Sequence, residues 1–167
     1  MLEKIGEKYM KKIVVLIFVM LLSSINAKDF KLNTLSHKSI NIKDFEGNLL
    51  FQEKKYKNKN LLFFFFGTRC PYCEKEIPQI INLVKKYKIK VIGIQAQGYI
   101  SDQELKKFVL KKQINFDVLN AKDGYKIVRY LQSRRLWVGG VPFYIWCDKF
   151  GNLEPLDITE VFVKVKH

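Results

Sequence analysis

The chain has 167 residues, enough for one ordinary domain with a buried core, and 48% of them are hydrophobic, which excludes a disordered or low-complexity chain. Thirty Lys and Arg against 16 Asp and Glu give a formal net charge of +14. The cations are mostly lysines in scattered pairs, such as Lys54-Lys55, Lys85-Lys86, Lys106-Lys107 and Lys111-Lys112. Arginine is scarce and no zinc-finger or RNA-recognition pattern accompanies them, so the charge reads as a solvated surface and not as a nucleic-acid footprint.

At the N-terminus, Lys11-Lys12 precede an apolar run from Ile13 to Leu22, then Ser23-Ser24 and Ile25-Asn26-Ala27. A basic stretch, a short apolar core and a small final residue describe a secretory signal peptide. The run falls short of the ~20 residues that span a bilayer comfortably. Residues 1–27 are therefore expected to be a signal peptide cleaved after Ala27, or an uncleaved N-terminal anchor. Residues 28–167 would form one domain working in the periplasm or an equivalent extracytoplasmic space. Membrane contact would be confined to that leading segment.

Phe30, Leu32, Ile40 and Ile42 alternate loosely and Gly47-Asn48 supplies a turn, which predicts short N-terminal strands. A polar, Lys-rich stretch from Glu53 to Asn60 follows. Leu61 to Phe66 is then apolar throughout, the pattern of a strand covered on both faces. Ile77, Ile80, Ile81 and Val84 make the stripe of a helix that carries Pro78 inside it. Val91 to Ile94 is a second buried strand. Ser101 and Glu104 form a capping box ahead of Leu105, Phe108 and Val109. Phe116 to Leu119 reads as a strand, and Ile127, Val128 and Leu131 as a helix. Pro142 opens a strand ending at Cys147, Asp148 to Asn152 make a turn, and Leu153 starts the partner strand. The tail from Asp157 fits a helix, although Val161, Val163 and Val165 also alternate. Strands alternating with helices predict an α/β domain with a central mixed sheet.

The cysteines are Cys70, Cys73 and Cys147. One close pair and one distant single do not make a disulfide scaffold, and with only His37 and His167 beside them they do not make a zinc site. No metal or cofactor is expected. Cys70 falls directly after the apolar strand, at the N-cap of the helix, with Pro71 at its first position. Unpaired N–H groups and the positive end of the helix dipole then face its sulfur and favour the thiolate, with Arg69 adding a charge beside it. Cys73, one turn on, can resolve a mixed disulfide. Glu74 and Glu76 read as surface acids complementing the dipole, and Cys147 as an inert buried thiol.

The string Cys70-Pro71-Tyr72-Cys73-Glu74-Lys75-Glu76-Ile77-Pro78 resembles the Cys-x-x-Cys-x-x-Glu-x-Pro signature of periplasmic thioredoxin-like proteins of the TlpA/ResA type. Val141-Pro142 is similar to that family's cis-proline, and Asp148-Lys149-Phe150-Gly151 to the turn that follows it. The resemblance implies a thioredoxin fold with an N-terminal β extension, and a substrate-binding edge of Val141, Pro142, Arg69 and Tyr72. It also implies protein thiols and disulfides as substrates, with a membrane redox partner protein. Two positions depart from the pattern: Arg69 replaces the usual tryptophan, and Phe64 stands where thioredoxins bury an acid.

Two functions remain open on the sequence. One is a periplasmic disulfide reductase or exchange catalyst, with cytochrome c maturation as one process it could serve. Its Pro71-Tyr72 dipeptide also resembles that of glutaredoxins and of some oxidising or isomerising Dsb proteins. The other is a thioredoxin-fold binding or chaperone module whose cysteines form only a bridge, though closing so short a loop would stabilise little.

Overall fold

The computed structural model describes residues 28–166, so the expected signal segment lies outside the described residues. Strands β1 (Lys28–Asn33), β2 (Ser39–Phe45) and β3 (Asn48–Phe51) form an antiparallel sheet in that order. Ile40 and Ile42 are buried while Ser39, Asn41 and Lys43 are exposed, so β2 is a strand with one wet face. Glu46 and Gly47 make the two-residue turn between β2 and β3, both with positive φ, as the twist of a tight hairpin requires.

The second sheet has five strands. β4 (Leu61–Phe66) runs parallel to β5 (Lys90–Gln95), which is parallel to β6 (Asp117–Val118). On its other side β4 pairs antiparallel with β7 (Phe143–Cys147), and β7 with β8 (Leu153–Leu156). Helices α1 (Pro71–Tyr87), α2 (Asp102–Lys111), α3 (Ala121–Ser133) and α4 (Ile158–Lys166) flank it.

The apolar run of β4 divides between two cores. Phe63 and Phe65 pack with Ile92, Ile94 and Ile145, covered by Ile127 and Leu131 of α3 and by the N-terminal sheet. Leu62, Phe64 and Phe66 point the other way, onto Ile77 and Ile80 of α1, Leu105 of α2 and Val161 of α4. Every residue of β4 is buried for this reason, and the strand shows no alternation. Gly93 in β5 makes room on the second face. A Cβ there would stand 2.9 Å from the Phe116 ring and 3.2 Å from that of Phe66.

The capping box of α2 forms in both directions between Ser101 and Glu104. The tail is a helix and not a strand, because Asp157 and Glu160 cap it reciprocally. Asp157 accepts from the backbone N–H groups of Thr159 and Glu160, and the Glu160 carboxylate accepts from that of Asp157.

Candidate functional site: a dithiol at the head of a helix

The chain leaves β4 at Phe66, turns through Gly67, Thr68 and Arg69, and enters α1 with Cys70 as the N-cap and Pro71 in the first turn. Cys70 has extended backbone, φ −105° and ψ 110°, which frees its sulfur to accept the N–H of Cys73 at 3.1 Å. That bond satisfies one of the donors a helix start leaves open. Cys73 follows one turn into the helix and is fully buried, and the N–H of Gly67 points at its sulfur from 3.4 Å. Burial pushes the Cys73 thiol up to about 12, and the neighbouring Cys70 and the Glu76 charge push it the same way. Cys70, Cys73 and Cys147 are all free thiols.

The loop before β7 comes back over this helix start. Gly139 and Gly140 both take positive φ, the Trp137 indole donates to the Gly140 carbonyl at 3.0 Å, and the Val141–Pro142 peptide bond is cis. The Val141 carbonyl oxygen stands 3.5 Å from the Cys70 sulfur. Residues 71 positions apart in sequence thus meet at one sulfur atom.

Arg69 and Tyr72 sit on the open rim, separated from that contact. Arg69 is exposed and is fixed through its backbone N–H, which donates to the Gln97 side chain at 3.1 Å. Tyr72 is 70% exposed, with the Lys75 ammonium 5.8 Å from its ring centre. Beside the rim, at the C-terminal end of β5, lies an open cavity of about 930 Å³ lined by Tyr99, Lys122, Tyr125 and Trp137 among others.

The two glutamates part company. Glu74 is a surface acid, paired with Lys112 of α2 at 3.1 Å. Glu76 is not an idle surface residue: it is half-buried, and its carboxylate accepts the hydroxyl of Tyr144 from β7. Burial and the adjoining Glu76 charge push the Tyr144 phenol far up, so it stays a proton donor. Phe64, the residue at the family's buried-acid position, is fully buried and stacks on Tyr144 at 5.2 Å and 11°. The carboxylate whose charge acts on Cys73 therefore comes from the helix and not from the strand. Glu76 already stood in the quoted signature, but its partner lies 68 residues away, a separation no local pattern reports.

Cys147 lies at the far end of β7, fully buried, its sulfur facing the carbonyls of Leu49 at 3.9 Å and Asp148 at 3.7 Å, with the Asp148 charge also acting on it. Burial pushes its thiol up to about 12 as well. Among the described residues no cluster of three or more His, Cys, Asp or Glu could hold a metal ion.

The chain is similar to the thiol-disulfide oxidoreductase ResA of Bacillus thuringiensis subsp. konkukian, 33% identical over 107 residues that cover 62% of this chain and 54% of that protein. It thus spans about half the length of that curated relative. A thiol-disulfide oxidoreductase from Bacteroides fragilis superposes with a TM-score of 0.62 at 16% identity, covering 84% of this chain and 96% of that one. A secreted Mycobacterium tuberculosis disulfide oxidoreductase superposes with a TM-score of 0.58 at 21% identity, covering 82% and 94%. At such identities the likeness is one of fold, and the fold is that of thioredoxin. Residues 25–153 match the AhpC/TSA family, well over half the chain, and the chain belongs to that family.

Proposed function

We propose that this protein is an extracytoplasmic thiol–disulfide oxidoreductase that acts on protein disulfides through Cys70 and Cys73. The observation that carries the reading is the position of the Cys70 sulfur, between the Cys73 N–H and the Val141 carbonyl. In the reducing direction, the Cys70 thiolate attacks one sulfur of a substrate disulfide. That S–S bond breaks, the other substrate sulfur leaves as a thiolate, and a mixed disulfide forms. Cys73 then gives up its proton and attacks the Cys70 sulfur. The second substrate sulfur is released, and Cys70 and Cys73 end as a disulfide that has passed two electrons to the substrate. Glu76, half-buried on the same helix, is the acceptor for the Cys73 proton.

Val141 and Pro142 line the edge along which a substrate backbone lies, and Arg69 and Tyr72 meet its flanks. A membrane redox partner returns the electrons. Export rests on the segment before Lys28, and a secreted protein of the same fold agrees with it. Among the described residues no helix is long and apolar enough to cross a membrane. The disulfide of apocytochrome c is the substrate class we assign first, because haem attachment needs its thiols reduced. The test is a measured reduction potential together with turnover of a protein disulfide. A potential near that of thioredoxin, about −270 mV, with turnover supports a reductase. One near −120 mV would assign an oxidase instead, and absent turnover would leave a binding module.

A further inference from the structure

We infer that Tyr144 is the positioning residue of the resolving step: its hydroxyl holds the Glu76 carboxylate beside Cys73, so that Glu76 takes the Cys73 proton as that sulfur attacks the mixed disulfide. The inference rests on the exchange reading above and adds a component to it.

Three observations place the group. Cys73 and Glu76 are three residues apart in α1, which puts them on one helix face with Cβ atoms about 5–6 Å apart. Tyr144 pairs with Phe64 across β4 and β7, on the sheet face that receives Cys73 and Ile77. Its ring is 3% exposed and held by the stack on Phe64, so the hydroxyl has one direction to point, and it donates to Glu76 Oε2.

The chemistry needs such a support. Cys73 is buried and strongly prefers the thiol, so its attack requires a base already in place. A glutamate on the rim of a helix has rotamer freedom and water to compete for it. The phenol fixes one carboxylate oxygen and leaves Oε1 to receive the proton. The titratable groups whose charges act on this cluster are Cys70, Cys73, Glu76 and Tyr144. Lys112, the nearby cation of α2, is engaged by Glu74.

The step can be watched directly. The reduced protein is mixed with one equivalent of 5,5′-dithiobis(2-nitrobenzoate), an aromatic disulfide that releases one coloured thiolate when Cys70 attacks and a second when Cys73 resolves. Tyr144→Phe keeps the ring and its stack. It should slow the second release about tenfold, the effect of losing one hydrogen bond to a charged group, and leave the first within twofold. The acid-side inflection of the second phase should move up, while the profile of the first stays put. Glu76→Gln, which still offers Tyr144 an acceptor, should slow the second release about 10²-fold, and the double variant no further.

A second release within twofold of wild type in Tyr144→Phe would overturn the inference. So would equal slowing of both phases, or additive losses in the double variant. Should Tyr144→Phe fail to fold, Glu76→Gln decides alone, an unchanged second phase there being fatal. Absence of a Cys70-dependent first release would instead sink the exchange reading itself, so the two failures are distinct.

Discussion

Cys73 and Cys147 are matched in everything that usually sorts reactive thiols from inert ones. Both are fully buried, and both thiols are pushed up to about 12 chiefly by that burial. They lie at opposite ends of β4: Gly67, just past its last residue, donates to Cys73, while Leu61, its first, pairs with Cys147. What differs is company. Cys73 has another sulfur one helical turn away and a carboxylate one turn further on, whereas Cys147 faces two carbonyls, and the Asp148 carboxylate whose charge reaches it is already taken up by Phe150 and Asn152 of the turn. Burial alone does not make a thiol idle; lacking a partner at the right distance does.

The comparison breaks most sharply under substitution of the sulfurs. Cys70→Ser should abolish disulfide exchange altogether, because no other sulfur among the described residues caps a helix N-terminus. Cys73→Ser should accumulate mixed disulfides with substrates, visible as higher bands on non-reducing gels and lost with reductant. Cys147→Ser should do neither. Trapping by Cys70→Ser, or exchange that depends on Cys147, would reverse the assignment of roles.

A smaller effect appears in alkaline stability. The fold prefers both buried thiols protonated, so their contribution is whole below about pH 9 and is lost as pH rises through about 12. For Cys147 the shift from 9.0 to about 12 corresponds to about 4 kcal/mol at full ionisation. Urea midpoints should therefore fall between pH 9 and 12 more steeply for wild type than for Cys147→Ala. Parallel curves for the two proteins would show that the Cys147 thiolate is accommodated after all.

Much of this arrangement is legible in the sequence, and the legible part is local. Leu61 to Phe66 announces a strand buried on both faces, Cys70-Pro71 announces a helix start, and Ser101 with Glu104 announces another, since each signal lies within one turn or one strand. The tail is harder. Val161, Val163 and Val165 satisfy both periods, and only the reciprocal cap of Asp157 and Glu160 decides for helix. The role of Glu76 is not local at all. Its charge at a helix start suits the dipole and so invites a surface reading, while the hydroxyl that draws it inward arrives on a strand 68 residues later. The contact between Cys70 and Val141 has the same character, and the resemblance of Val141-Pro142 to a family pattern suggests it where periodicity does not.

Cys147→Ala at neutral pH sharpens the comparison from the other side. Removing a fully buried sulfur leaves a small void between β7 and the Leu49 backbone, and should cost about 1–2 kcal/mol in urea unfolding. Exchange rates should remain within twofold of wild type. A large loss of activity with little loss of stability would mean that Cys147 takes part in the chemistry.

The smallest effects belong to the rim, where Arg69 and Tyr72 flank Cys70 without touching the Cys70–Val141 contact. Arg69 is exposed, so its charge acts on the sulfur through water and is screened over about 8–10 Å at ordinary salt. Tyr72 offers an open aromatic face to whatever approaches, with Lys75 as its only cation neighbour within reach among the described residues. Arg69→Ala should therefore lower the rate of Cys70 attack only a few-fold at low salt, with the difference vanishing as salt is raised. Tyr72→Ala should spare attack on a small disulfide and raise KM for a protein one, because a bulky partner alone reaches the ring. The pair of measurements separates a rim that steers substrates from one that tunes the sulfur. A salt-independent loss in Arg69→Ala, or equal loss on small and protein disulfides in Tyr72→Ala, would place these residues inside the reacting cluster, and the boundary between rim and dithiol would move outward.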